Sequence, residues 1–111
     1  MKFLVIGSMK DMYMTLPPAM VRQLFEASIS ILNQQKKAGK IAEFYWVPGA
    51  MRSVIIRERN NAEDILRDME EVPQAAFMNF EIYPLADFNE SVKIMLKSIK
   101  AAEKMMPAPP K

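Results

Sequence analysis

The sequence predicts an α+β fold, a four-stranded antiparallel sheet built in the order β-α-β-β-α-β and followed by one extra C-terminal helix. Three observations predict it. Short β-prone segments alternate with two amphipathic helical stretches, a Pro-Gly turn joins the middle strands into a hairpin, and the first and third strands are apolar at both parities. That last pattern marks strands buried on both faces. The split βαβ, or ferredoxin-like, topology puts those two strands at the centre of the sheet.

Each element has its own signal. Lys2 to Met9 is the first strand, because "FLVIGSM" is β-prone and apolar throughout. "KDMYMTLPP" is a loop, since its tandem prolines block a continued strand, and Pro18 suits the first turn of a helix, where its missing N–H costs nothing. Ala19 to Ala38 is that helix, about five turns long, with Val21, Leu24, Phe25, Ser28 and Leu32 along one face. Lys36 and Lys37 favour its last turn, and Gly39 supplies the C-terminal cap.

Lys40 to Val47 and Arg52 to Glu58 form a hairpin around "PGAM". Asn61 caps a second helix with Asp64 three residues on, and Ala62, Ile65, Leu66 and Met69 form its buried stripe until Pro73 ends it. Phe77 to Pro84, "FMNFEIYP", is the fourth strand. The third helix follows within residues 86–106, with Asp87 and Glu90 in capping-box spacing. Val92, Met95, Leu96, Ile99 and Ala102 form its apolar stripe, and Lys93, Lys97, Lys100 and Lys104 lie on a solvated face. Residues 1–106 make one domain, and "PAPPK", residues 107–111, is a flexible tail.

Composition excludes several function classes. With no cysteine there are no disulfides or thiolate metal sites. With no histidine the usual acid–base residue and commonest metal ligand are missing, so Ser-His-Asp and Cys-His nucleophilic systems cannot be assembled. No clustered Asp-x-Asp pattern supplies a carboxylate metal site, so no metal and no cofactor are expected. A net charge of +2 without a clustered basic face argues against nucleic acid. No run approaches a membrane span of about 20 apolar residues, and the first strand lacks a signal-peptide cleavage site. A cytoplasmic protein is expected.

The sheet raises the question of what covers its second face. Two right-handed crossovers put both early helices on one side, yet Leu4, Ile6, Val54 and Ile56 are as apolar as Phe3, Val5 and Ile55. An exposed apolar sheet face is larger than monomers usually tolerate. The third helix or a second copy of the chain must cover it, and a homodimer or higher homo-oligomer is the expectation.

One carboxylate stands in apolar company. Strict alternation along "IAEFYWV" puts Ile41, Glu43, Tyr45 and Val47 on one face and Ala42, Phe44 and Trp46 on the other. If the face of Glu43 lies beneath the helices, Glu43, Tyr45, Ser53, Asn79 and Tyr83 line a pocket. Desolvation there raises a carboxylate's pKa, which makes Glu43 a base able to remove a proton next to a carbonyl. Tyr45 or Arg52 then stabilises the enolate oxygen. Two plainer readings stand beside this one: an edge-strand charge that discourages aggregation, or a pairing between subunits with Arg52 or Arg57. Tyr13 and the methionines around the "KDMYMTLPP" loop suggest a lid over an apolar pocket. Trp46 is a further candidate contact for a small apolar ligand.

Residues 16–85, "LPPAMVRQLFEASISILNQQKKAGKIAEFYWVPGAMRSVIIRERNNAEDILRDMEEVPQAAFMNFEIYPL", resemble the muconolactone isomerase-like group of the dimeric α+β barrel proteins. The proline-containing helix start, the Gly39-Lys40 pair before an aromatic strand, the Gly49 hairpin, "AEDILRDMEEVP" and the closing "EIYPL" carry the resemblance. It implies a dimeric, cofactor-independent isomerase that moves a proton on a small apolar lactone or unsaturated acid. In that family pattern Glu43 stands where members can carry a histidine. The same architecture also accommodates a non-catalytic ligand-binding or enzyme-accessory protein, and a cofactor-free monooxygenase.

Overall fold

A computed structural model describes residues 1–106; the proline-rich tail lies outside the described residues. The strands are β1 (Lys2–Met9), β2 (Ile41–Val47), β3 (Arg52–Glu58) and β4 (Met78–Pro84). The helices are α1 (Pro18–Lys37), α2 (Ala62–Glu70) and α3 (Phe88–Met105). All pairings are antiparallel and the spatial order is β2-β3-β1-β4, so the two most apolar strands are central. This is the ferredoxin-like α+β arrangement expected from the order of elements.

Local chemistry fixes the helix ends. At the end of α1, Lys40 N–H donates to the Gln35 carbonyl and Gly39 N–H to that of Lys36, each at 3.0 Å, with Gly39 at φ 80°. That is a Schellman cap, whose left-handed residue favours glycine. Asn61 and Asp87 each accept an N–H bond three residues on, from Asp64 and Glu90 at 2.9 Å, as capping residues do.

The hairpin places its conformational cost elsewhere than expected. Pro48–Ala50 is a short 3-10 turn, and the left-handed residue after it is Met51, at φ 51°, not Gly49. A side chain in that region costs on the order of 1 kcal/mol. Met51→Gly is therefore expected to raise the midpoint of urea unfolding, by a few tenths to about 1 kcal/mol of stability.

Strand register sorts the sheet into two faces. Phe3, Val5, Ile41 and Ile55 are buried beneath α1 and α2 in one cluster with Ile65 and Met69, against which Leu32, Phe44, Phe80 and Ile82 pack. The opposite face carries Leu4, Ile6, Val54 and Ile56, all only half-buried. Helix α3 does not cover this face; it buries no residue of its own, and the chain extends 70 Å along its long axis against 31 and 22 Å across. Among the described residues no helix is long and apolar enough to cross a membrane.

A β-bulge in β2 overturns the strict alternation expected there. Ile41 pairs with Arg57 but Glu43 with Ile56, so Ala42 is the extra residue. A bulge puts two residues opposite one and exchanges the faces beyond it. Ile41, Phe44 and Trp46 therefore share the helix side, and Glu43, Tyr45 and Val47 the open side.

Candidate functional site

Between α1 and the sheet lies a cavity of about 390 Å³, within the range of small-molecule sites. Phe25, Ile29 and Leu32 of α1 wall one side; Phe44, Trp46, Ile55 and Phe80 wall the sheet side. Besides the indole of Trp46, the polar lining side chains are Ser53, Arg57 and Gln74. A mostly apolar cavity with few polar groups orients a ligand without binding it through many charges.

Arg57 is the distinctive group. It is 1 % exposed, and its Nη1 donates to Gln35 Oε1 at 2.9 Å. Behind it sits Asp68, 3 % exposed, with Arg57 at 3.7 Å, Lys40 at 3.6 Å and Arg59 at 3.0 Å. Arg59 Nε stands off the hydrogen-bonding angle, so neither it nor Asp68 Oδ2 gains a hydrogen bond from that contact. Three cations thus surround one carboxylate, and the buried Nε of Arg57 has no acceptor among the described residues. Burial pulls the Arg57 pKa below its ordinary value, Asp68 opposes that and Arg59 reinforces it. A cation this enclosed gains from an anionic partner.

Ser53 and Gln74 complete the polar lining. Ser53 is buried. Gln74 is fixed from several directions: its N–H donates to Ser28 Oγ at 3.0 Å, and its Nε2 lies 3.2 Å from the Tyr13 hydroxyl and 3.4 Å from Met9 Sδ. Tyr13 is itself buried against Phe77, its hydroxyl meeting the Val21 carbonyl at 3.5 Å, and burial raises its pKa. It orients Gln74 from behind and does not line the cavity. The loop expected to be a lid is a 3-10 turn, Asp11–Thr15, pinned through this tyrosine.

The grouping expected from alternation does not form. Ser53 and Trp46 lie on the cavity side, whereas Glu43, Tyr45, Arg52, Asn79 and Tyr83 are on the open face. Register places them in rows across the sheet: Glu43, Ile56, Leu4, Tyr83; then Tyr45, Val54, Ile6, Glu81; then Val47, Arg52, Ser8, Asn79. Tyr45 donates to Glu43 and Tyr83 to Glu81, each at 3.2 Å. The neighbouring carboxylate holds each phenol above its ordinary pKa. An apolar centre therefore has a Glu–Tyr pair on each edge strand.

From the sequence Arg57 entered only as an inter-subunit partner for Glu43, and Gln74 was not singled out. Arg57 had a legible signal, the two-residue spacing Ser53, Ile55, Arg57 that puts all three on the side of Val5. Gln74 had none, because its burial depends on contacts with α1 and the Tyr13 turn.

No curated protein matches this chain. The family profile described as muconolactone delta-isomerase matches residues 1–91, which include every strand, α1, α2 and the whole cavity lining. With its ferredoxin-like fold and its cavity beneath the helices, the chain belongs to the muconolactone delta-isomerase family.

Proposed function

We propose that the chain is a cytoplasmic, cofactor-independent isomerase-like enzyme whose cavity takes a small, mostly apolar lactone or unsaturated acid. The carrying observation is the buried, acceptor-poor Arg57 in a cavity otherwise walled by hydrocarbon. A carboxylate or developing enolate oxygen would supply the acceptor that the Arg57 Nε lacks, and a preorganised cation stabilises that charge most strongly where water is excluded. Ser53, both donor and acceptor, is the lining group able to relay a proton in one concerted step, giving its own hydroxyl proton to one carbon of the bound ligand as it takes a proton from another. The apolar wall of Phe44, Trp46, Ile55 and Phe80 holds the ring.

The test is conversion of muconolactone by the purified chain, followed by absorbance, beside direct binding of the same compound. Turnover that falls with Arg57→Met supports the reading. Tight binding without turnover supports the non-catalytic ligand-binding alternative, and neither binding nor turnover overturns both. Oxygen uptake with a quinol would instead support the cofactor-free monooxygenase.

Gly7 offers a second check. A Cβ there would lie 2.8 Å from Met78 Cε and Ser53 Oγ and 3.1 Å from Phe80 Cε1, all three residues being part of the cavity wall. Gly7→Ala is expected to crowd this wall and weaken ligand binding about tenfold, measured by calorimetry. Unchanged affinity would place the ligand elsewhere.

A second reading rests on the two Glu–Tyr pairs of the open face. A second copy of the chain seated there encloses Glu43, Tyr45, Arg52, Asn79 and Tyr83, and Glu43 then serves as the base with Tyr45 or Arg52 at the enolate oxygen. The half-buried Leu4, Ile6, Val54 and Ile56 support such a homodimer.

A further inference from the structure

The cavity beneath α1 has a charged end and a neutral end, and two independent rulers measure the distance between them. On the sheet, Arg57, Ile55 and Ser53 share one face of β3. Arg57 and Ser53 are four residues apart on that strand, about 13 Å at ordinary strand spacing. On α1, Gln35 holds the Arg57 guanidinium and Ser28 Oγ holds the Gln74 N–H. Gln35 and Ser28 are seven residues apart on one helix, about 10 Å along its axis. Between the two ends the walls are hydrocarbon: Ile29 and Leu32 from α1, Phe44 and Ile55 from the sheet.

The neutral end is built around Gln74, which is 6 % exposed. Its Nε2 donates to the Tyr13 hydroxyl at 3.2 Å and to Met9 Sδ at 3.4 Å. A thioether sulfur has no proton to give, so the nitrogen of the amide faces Met9. That nitrogen carries two protons, and these two partners take them. The amide oxygen is then the atom of Gln74 that remains for a ligand, and it accepts. Among the described residues lining the cavity Arg57 is the one cation, so the Gln74 end suits a neutral donor and disfavours a second carboxylate. Allowing a hydrogen bond of about 2.9 Å at each end, the two polar groups of a fitting ligand lie roughly 4–7 Å apart.

We propose that the cavity selects a two-headed acid, with its carboxylate on Arg57 and, across an apolar ring or chain, a hydroxyl that donates to Gln74 Oε1. This rests on the reading that Arg57 takes the anionic group of the ligand. It adds the direction in which the ligand lies and the chemistry of its far end, a hydroxyl and not a second acid.

Calorimetric titration with three acids on one ring tests it: phenylacetate, 4-hydroxyphenylacetate and 4-carboxyphenylacetate. Each is titrated into the parent chain, Gln74→Met and Arg57→Met, with folding checked by circular dichroism. In the parent chain the hydroxy acid is expected to bind at least about tenfold tighter than phenylacetate, or 1.4 kcal/mol, and the diacid no tighter than phenylacetate. Gln74→Met keeps the backbone bond to Ser28 and most of the side-chain bulk, and is expected to erase the advantage of the hydroxyl. Arg57→Met is expected to weaken both monoacids alike and preserve their ratio. Equal affinity for phenylacetate and 4-hydroxyphenylacetate in the parent chain overturns the proposal, a result that stands even if Gln74→Met does not fold. So does a hydroxyl advantage that survives Gln74→Met, a diacid that binds tightest, or no binding of any of the three. A ratio lost only in Gln74→Met, beside acid binding indifferent to Arg57→Met, keeps the Gln74 subsite and overturns the reading beneath it.

Discussion

Replacing Asp68 by asparagine is expected to cost the fold about 3–5 kcal/mol, the loss seen when one member of a buried ion pair is removed. Asp68 is 3 % exposed and is the carboxylate shared by Arg57, Lys40 and Arg59. Without its charge, Arg57 stays buried with Gln35 Oε1 as its hydrogen-bond acceptor and two more cations nearby. Lys40 and Arg59 are partly exposed and can turn toward water. Arg57 cannot. For a domain of this size the expected fall in thermal midpoint is about 15 °C or more.

The cost belongs to the stranded cation and not to the ion pair itself. Asp68→Leu combined with Arg57→Leu is therefore expected to recover much of the loss, because both charges leave together and hydrocarbon takes their place. Calorimetric melting of the single and double variants checks this. A single variant within about 1 kcal/mol of the parent would show that the cluster is hydrated and its charges independent.

Replacing Arg57 by methionine is expected to lower kcat/KM on muconolactone about 100-fold or more, the scale of losing a preorganised donor at a developing oxyanion. The side chain lines the cavity, its Nη1 is held by Gln35, and its Nε is buried without an acceptor. Methionine keeps the hydrophobic stem and removes the charge, so the walls of the cavity stay in place. Arg57→Lys is expected to recover part of the activity, since it restores charge but not the planar fork of donors. Ser53→Ala is expected to lower kcat more than it raises KM if its hydroxyl carries the proton.

The sequence made the architecture legible because the fold is written in local signals. Two apolar central strands, caps at Gly39, Asn61 and Asp87, and the Pro-Gly hairpin all act over a few residues. The site was less legible because it depends on two non-local facts. The bulge at Ala42 exchanges the faces of β2 beyond it, and nothing in "IAEFYWV" marks the residue that is skipped. The buried polar residues also defeat a hydrophobicity reading. In α2 the stripe expected through Leu66 runs through Asp68, and Leu66 is 52 % exposed. Asp68 can be buried because Arg57, Arg59 and Lys40 come to it from β3, the end of β3 and the start of β2. Such compensation across the chain has no periodicity. Trp46 and Ser53 were identified and do line the cavity.

The exchange of faces separates two accounts of the chemistry. In one, Arg57 and Ser53 act in the cavity beneath α1. In the other, Glu43 and Tyr45 act on the open face. Muconolactone turnover by Arg57→Met and Glu43→Gln, assayed side by side on folded protein, is the most direct test between them. The cavity account predicts a loss of about 100-fold or more for Arg57→Met and near-parental kcat/KM for Glu43→Gln. Full activity in Arg57→Met, with loss confined to Glu43→Gln, would contradict it.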